Sequence, residues 1–183
     1  MTSSQIILTI ISSSLVSTIL AVITNWIIHR SSYKNDYYKK ILDKRISAYE
    51  NINHIISKML IHTKLDNSVI PTVFFSYEYY TEFALLLGTN LDHSFWISNE
   101  MANKLTEINV YLINNVENKI DNTKNTNDLD TEYQNIGIIQ FEQFRIFRKE
   151  LQKIMNNDFK RLHKLNSFFK SKEDTKNTFG VKF

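Results

Sequence analysis

From Ile6 to Ile28 the chain carries no ionisable side chain, and apolar residues fill most positions. A bilayer core of ~30 Å needs about 20 mostly apolar residues at the helical rise. The stretch therefore predicts a single transmembrane helix, assigned with its flanks to residues 1–30. A cleaved export signal would carry a positive start, a shorter apolar run and a small-residue cleavage site. A buried core helix would be shorter and charged along one side. Both alternatives fit the stretch less well than a span does.

Within it, Thr9, Ser13, Ser17, Ala21 and Thr24 recur every three or four residues, with Ser14, Thr18 and Asn25 one step round the helix. The result is one broad, small and polar face. Three readings follow. The hydroxyls can bond their own preceding-turn carbonyls in a lone anchor. The small-xxx-small spacing can let copies of the helix approach closely. The face can also line a wet pore built as a ring of subunits.

Beyond the span, a 3,4 spacing of apolar positions predicts four helices. In the first, Tyr38, Ile41 or Leu42, Arg45, Tyr49, Ile52, Ile56 and Met59 share a face. Neither Gly nor Pro interrupts Ile6 to Asp66, which allows either a rod of roughly 60 residues, ~90 Å long, or a break at Ser31-Ser32. The second is expected to start at Pro71 and stop at Gly88. Its aromatics (Phe74, Phe75, Tyr77, Tyr79, Tyr80, Phe83) have no interleaved cations, which favours a bundle core or a subunit interface over a base-stacking platform. The third, capped by Asp92 or Ser94, carries the stripe Ile97, Met101, Leu105, Ile108, Leu112, Val116 and Ile120. A polar loop over 121–131 precedes the fourth, which starts near Thr131. That helix runs through Phe144, Phe147, Leu151, Ile154, Leu162, Leu165 and Phe169, with Asp158 where an apolar residue is expected. The fold class is thus all-α: a transmembrane helix, a cytoplasmic four-helix bundle over 31–171 and a loose tail over 172–183.

Composition agrees with long helices, for the chain has only 3 Gly and 1 Pro. The absence of Cys excludes disulfides and cysteine-ligated zinc. Residues 29–45 hold six cations against two acids, a local net of +4 in a chain of net +3. The positive-inside rule then places the N-terminus outside and the body in the cytoplasm. Arg30, Lys34, Lys39 and Lys40 are expected at the inner interface with anionic lipid, and Trp26 as its aromatic anchor. The remaining body is near neutral, so direct nucleic-acid binding is not expected.

No phosphate-binding glycine loop, dinucleotide fingerprint or H-E-x-x-H motif occurs. His54 and His62, eight apart, would share a helix face with no carboxylate between them. Neither a metal nor a cofactor is expected.

One segment has a chemical pattern: Asn157-Asp158-Phe159-Lys160-Arg161-Leu162-His163. It resembles the signature of HEPN domains, helical bundles whose motif is an Arg, then Asn, Asp or His, and a later His on one helix. Active members use it as a metal-independent RNase site across a dimer. Asp158 and His163 match. Asn157 stands where the family has Arg, and an amide cannot supply a cation to a transferring phosphate. Catalysis by Asn157, Asp158 and His163 is accordingly not expected, and Asp158 is otherwise expected to pair with a neighbouring Lys or Arg.

The combination of an uncharged N-terminal span, a helical bundle and this divergent motif is similar to the small accessory membrane proteins of type VI-B CRISPR systems. That resemblance implies a homo-oligomeric inner-membrane pore that enhances RNA-guided antiphage defence by permeabilising or depolarising the membrane. Its implied partners are further copies of the chain, the bilayer and an RNA-guided RNase system. A membrane-tethered RNase, or a single-span anchor for a protein-binding bundle, are the alternatives.

Overall fold

The computed structural model describes the backbone of residues 3–66, 68–120 and 126–178, with side chains from Thr18 onward except 127, 166 and 173–178. Two compact units emerge, residues 1–41 and 42–183. Among the described residues there are five helices and one two-stranded hairpin: α1 (Ser3–Leu60), β1 (His62–Leu65), β2 (Ser68–Pro71), α2 (Tyr77–Asp92), α3 (Asn99–Asn115), α4 (Thr126–Phe159) and α5 (Leu165–Thr178).

α1 is continuous, and no break falls at Ser31-Ser32. Its residues up to Ile41 form the first unit. No described helix is long and apolar enough to cross a membrane. Of the predicted span Ile6–Ile28, however, the side chains of residues 6–17 lie outside those described.

The second unit holds the hydrophobic core. Tyr49, Ile52, Ile55, Ile56 and Met59 of α1 bury one face, as the 3,4 spacing requires. α2 contributes Tyr80, Phe83 and Leu87, and α3 contributes Met101, Leu105, Ile108 and Leu112. α4 adds Leu129, Tyr133, Ile136, Phe144, Phe147, Leu151 and Ile154. The whole stripe foreseen from Ile97 to Ile120 is buried.

Several boundaries depart from expectation. Pro71 ends a strand rather than starting a helix: His62–Leu65 pairs antiparallel with Ser68–Pro71. Asp66 turns the chain at φ 50°, a left-handed conformation that Asp tolerates and that substitutes for the missing glycine. The hairpin also removes His62 from the helix, so His54 and His62 do not share a face; the His62 ring lies 5.2 Å from that of Phe141. α2 begins after Ser76, whose Oγ accepts from the Tyr79 N–H at 3.3 Å, and runs past Gly88 to Asp92.

The third helix starts at Asn99, because Ser98, and not Asp92 or Ser94, supplies the cap: its Oγ accepts from the Met101 N–H at 3.1 Å. The fourth helix begins at Thr126, inside the expected polar loop, and ends at Phe159 instead of continuing through Leu165. Residues from Leu165 to Thr178 form a separate helix, so the first part of the expected loose tail is helical.

The hairpin and the short 3-10 turn that follows it (Thr72–Phe74) pack on α4. Gly137 makes that contact possible. A Cβ there would lie 2.6 Å from Phe74 Cβ and 3.5 Å from Ile70 Cβ.

Candidate functional site

Two regions carry the residues singled out from the sequence. In the first unit, Thr9, Ser13 and Ser17 lie outside the described side chains, while Ala21 and Thr24 are exposed on α1. The apolar residues between them are exposed too: Ile19 50%, Leu20 58%, Val22 63%, Ile23 48%, Trp26 61%, Ile27 55% and Ile28 55%. At 100° per residue, Ala21, Thr24 and Asn25 fall opposite most of these. The cations then begin in register with aromatics. The Arg30 guanidinium sits 5.4 Å from the Trp26 ring and the Lys34 ammonium 5.5 Å from the Tyr38 ring, each four residues along the helix. Lys39 and Lys40 are exposed.

The second region is built where α4 ends. Asp158 continues the α4 stripe of Leu151 and Ile154, so the helix aims its carboxylate inward. Contrary to expectation, among the described residues it forms no ion pair with a Lys or Arg. Its Oδ2 accepts from the Tyr49 hydroxyl at 2.6 Å and from Ser98 Oγ at 2.6 Å. Tyr49 oxygen in turn accepts from the Ser98 N–H at 3.1 Å. One carboxylate thereby ties α1 and the cap of α3 to the end of α4.

The chain turns immediately afterwards, with Arg161 N–H donating to the Asp158 carbonyl at 2.9 Å. The turn frees the Leu162 carbonyl, and the Arg45 guanidinium of α1 donates to it at 2.6 Å. Arg45 is 3% exposed and lies over the Phe168 ring of α5 at 3.9 Å. Lys172, also on α5, donates to the Ser94 carbonyl at 2.9 Å and stands 5.8 Å from the same ring.

Arg45, Ser98, Asp158, Arg161, Lys164 and Lys172 line one cavity of about 190 Å³. Burial lowers the pKa of Arg45, partly offset by Tyr49 and Asp158. Burial, then the charge of Arg45, lowers that of Lys172. Burial, then the bond to Asp158, raises the pKa of Tyr49.

The structure therefore brings Asp158 together with Arg161. Asn157 and His163 are exposed and line no part of this cavity. Ser98, Lys164 and Lys172 gave no sequence signal. Arg45 did: it occupies a core position of α1, as Asp158 does of α4. Two opposite charges on two apolar stripes are the trace of a shared polar cleft. Among the described residues no cluster of three His, Asp or Glu is arranged to hold a metal ion.

A second cavity, of about 630 Å³, lies between α2 and α3 and is lined by Tyr80, Tyr133 and Glu117, among others. The Tyr80 hydroxyl donates to Glu117 Oε1 at 3.1 Å, and its ring lies 4.7 Å from that of Tyr133. Burial, then Glu117, raises the pKa of Tyr80; burial, then Tyr77 and Glu117, pushes Tyr133 up to about 12. Tyr111, whose hydroxyl donates to buried Gln140, is also raised by burial.

These shifts fix a direction with pH. Above the ordinary phenol value of ~10 the unfolded chain releases protons that native Tyr49, Tyr80, Tyr111 and Tyr133 retain, so stability falls as pH rises. Their contribution is complete below pH ~10 and is lost progressively as pH climbs above it, through about 12 for Tyr133. Thermal melts in alkaline buffers, followed by tyrosinate absorbance, are expected to show cooperative unfolding in which these phenols ionise together. Smooth independent titration of all 9 tyrosines with no change in melting temperature would contradict their burial.

No protein-family model matches the chain, and no curated protein or solved structure matches it significantly.

Proposed function

We propose that this chain is a homo-oligomeric membrane pore or effector, anchored in a bacterial inner membrane by the apolar part of α1, with its folded body in the cytoplasm. One observation carries the reading: the large apolar side chains between Ile19 and Ile28 are about half exposed or more. Water penalises such a surface by roughly 25 cal/mol per Å², and contiguous apolar surface of this kind marks a membrane or an assembly contact. The aromatic and basic residues from Trp26 to Lys40 match the chemistry of an inner interface. Thr9, Ser13, Ser17, Ala21 and Thr24 form the face on which copies meet or water passes. The role in RNA-guided antiphage defence rests on the architectural resemblance alone.

The test is the mass of the detergent-purified full-length protein together with dye release from vesicles. A multi-subunit particle that releases dye is expected. Ser13→Leu with Ser17→Leu adds bulk to the small face and is expected to cut release at least about tenfold, given contacts of ~1–2 kcal/mol each. A monomer whose Leu variants behave as wild type would reduce the helix to an anchor and overturn the pore.

A further inference from the structure

The cleft at the end of α4 carries an excess of positive charge. Among the described residues Arg45, Arg161, Lys164 and Lys172 line it, against one carboxylate, that of Asp158. That carboxylate already accepts from two hydroxyls through the same oxygen. Among the described residues, none of the four cations lies within ion-pair distance of a carboxylate. Arg45 is almost wholly buried, and its Nε has no hydrogen-bond partner among those residues.

Gathering like charges in a part-buried space opposes folding unless an opposite charge joins them. The Phe168 ring, beneath both Arg45 and Lys172, relieves only part of that repulsion. Lys172 feels the remainder, since burial and then the charge of Arg45 depress its affinity for a proton. Arg45 cannot escape by losing a proton. A dianion entering the cleft would meet guanidinium forks and an ammonium already in place.

We propose that this cleft binds a phosphoryl group. At about 190 Å³ the cavity is smaller than the ~300 Å³ of a typical small-molecule site, so it takes an anionic head and leaves the rest of the ligand outside. The head has the same chemistry whether it belongs to free phosphate, a nucleotide or a lipid. The inference is independent of the membrane reading, because the residues that carry it lie in the second unit.

The test uses the full chain in detergent. Its melting temperature is compared in phosphate and in chloride at matched ionic strength, then with adenosine monophosphate and with short-chain phosphatidic acid. Saturating phosphate is expected to raise the midpoint by about 5 °C over chloride. Arg161→Glu and Lys164→Gln alter exposed side chains in the turn, and each is expected to remove most of the rise and weaken binding at least about tenfold by calorimetry. If Arg161→Glu does not fold, Lys164→Gln makes the comparison. A rise with inorganic phosphate or the nucleotide assigns the site to soluble phosphates, and a rise with phosphatidic acid alone assigns it to a lipid head group; both support the proposal. No rise with any of the three, or equal rises in wild type and the turn variants, overturns it. Dye release has no part in this readout, so the pore and the anion site can fail separately.

Discussion

Asp158→Ala is expected to destabilise the folded body by about 3 kcal/mol, since each bond to an ionised acceptor contributes roughly 1.5–3 kcal/mol and the stranded donors keep their desolvation cost. Tyr49 is fully buried, so its hydroxyl cannot turn to water once the carboxylate is gone. Ser98 loses the same partner, although its cap on the Met101 N–H remains. Among the described residues, the substitution also removes the only acid lining a cleft with four cations. The loss should therefore shrink when salt or phosphate screens those charges.

Asp158→Asn keeps one carbonyl acceptor and should cost about half as much. Tyr49→Phe removes one of the two donors and should cost about 1–2 kcal/mol. Urea denaturation of all three, with the slope checked for constancy, orders them. If Asp158→Ala were as stable as wild type, the carboxylate would be no structural tie between α1, α3 and α4. Its place in the cleft would then need a purely functional explanation.

Gly137→Leu is the second large effect, expected at about 3 kcal/mol or more of destabilisation. The position sits inside α4, where replacing Gly should gain close to 1 kcal/mol of helix propensity. The space decides otherwise. A Cβ at 2.6 Å from Phe74 Cβ meets a backbone-attached carbon that cannot swing aside. Overpacking of this kind costs ~1–3 kcal/mol even for one or two methyl groups. Gly137→Ala should already lose about 1–2 kcal/mol, and the longer Leu must also displace the hairpin.

Gly88 is the matching control. It lies in mid-helix in α2, and a Cβ added there would meet nothing within 4 Å. Gly88→Ala should gain about 0.5–1 kcal/mol. Chemical denaturation of the pair should move in opposite directions. A shared sign would show that propensity, and not the approach of Phe74, governs Gly137.

These two glycines show how much the chain discloses and where it stops. Gly88 reads as a helix end, yet α2 runs past it, because Phe83 and Leu87 before it belong to a face that the core already buries. Propensity is a weak prior, and packing overrode it. The hairpin was illegible for a related reason. Few Gly and Pro argued against turns, but an Asp at φ 50° made one. The end of α4 was hidden as well: the 3,4 rhythm runs on through Leu162 and Leu165, whereas the helix stops at Phe159 in a backbone-bonded turn whose Leu162 carbonyl Arg45 captures. In the candidate cleft, Asp158 announced itself by breaking an apolar stripe. Its partners Tyr49 and Ser98 come from positions 109 and 60 residues away, and no local spacing points to them.

By itself, the sequence determined which faces are buried and where the apolar run near the start of α1 lies, because both follow from the spacing of apolar residues. Mainly helical structure, the α3 stripe and the exposed apolar run up to Ile28 are consequences of that one property. Tertiary structure alone decided which charges meet. Arg45, Arg161, Lys164 and Lys172 come from one long helix, one turn and a second helix, and converge only when α4 ends early and α5 folds back so that Phe168 lies against Arg45. Charge placement is a matter of distance in space, and distance in space is what a linear pattern of apolar and polar residues leaves open.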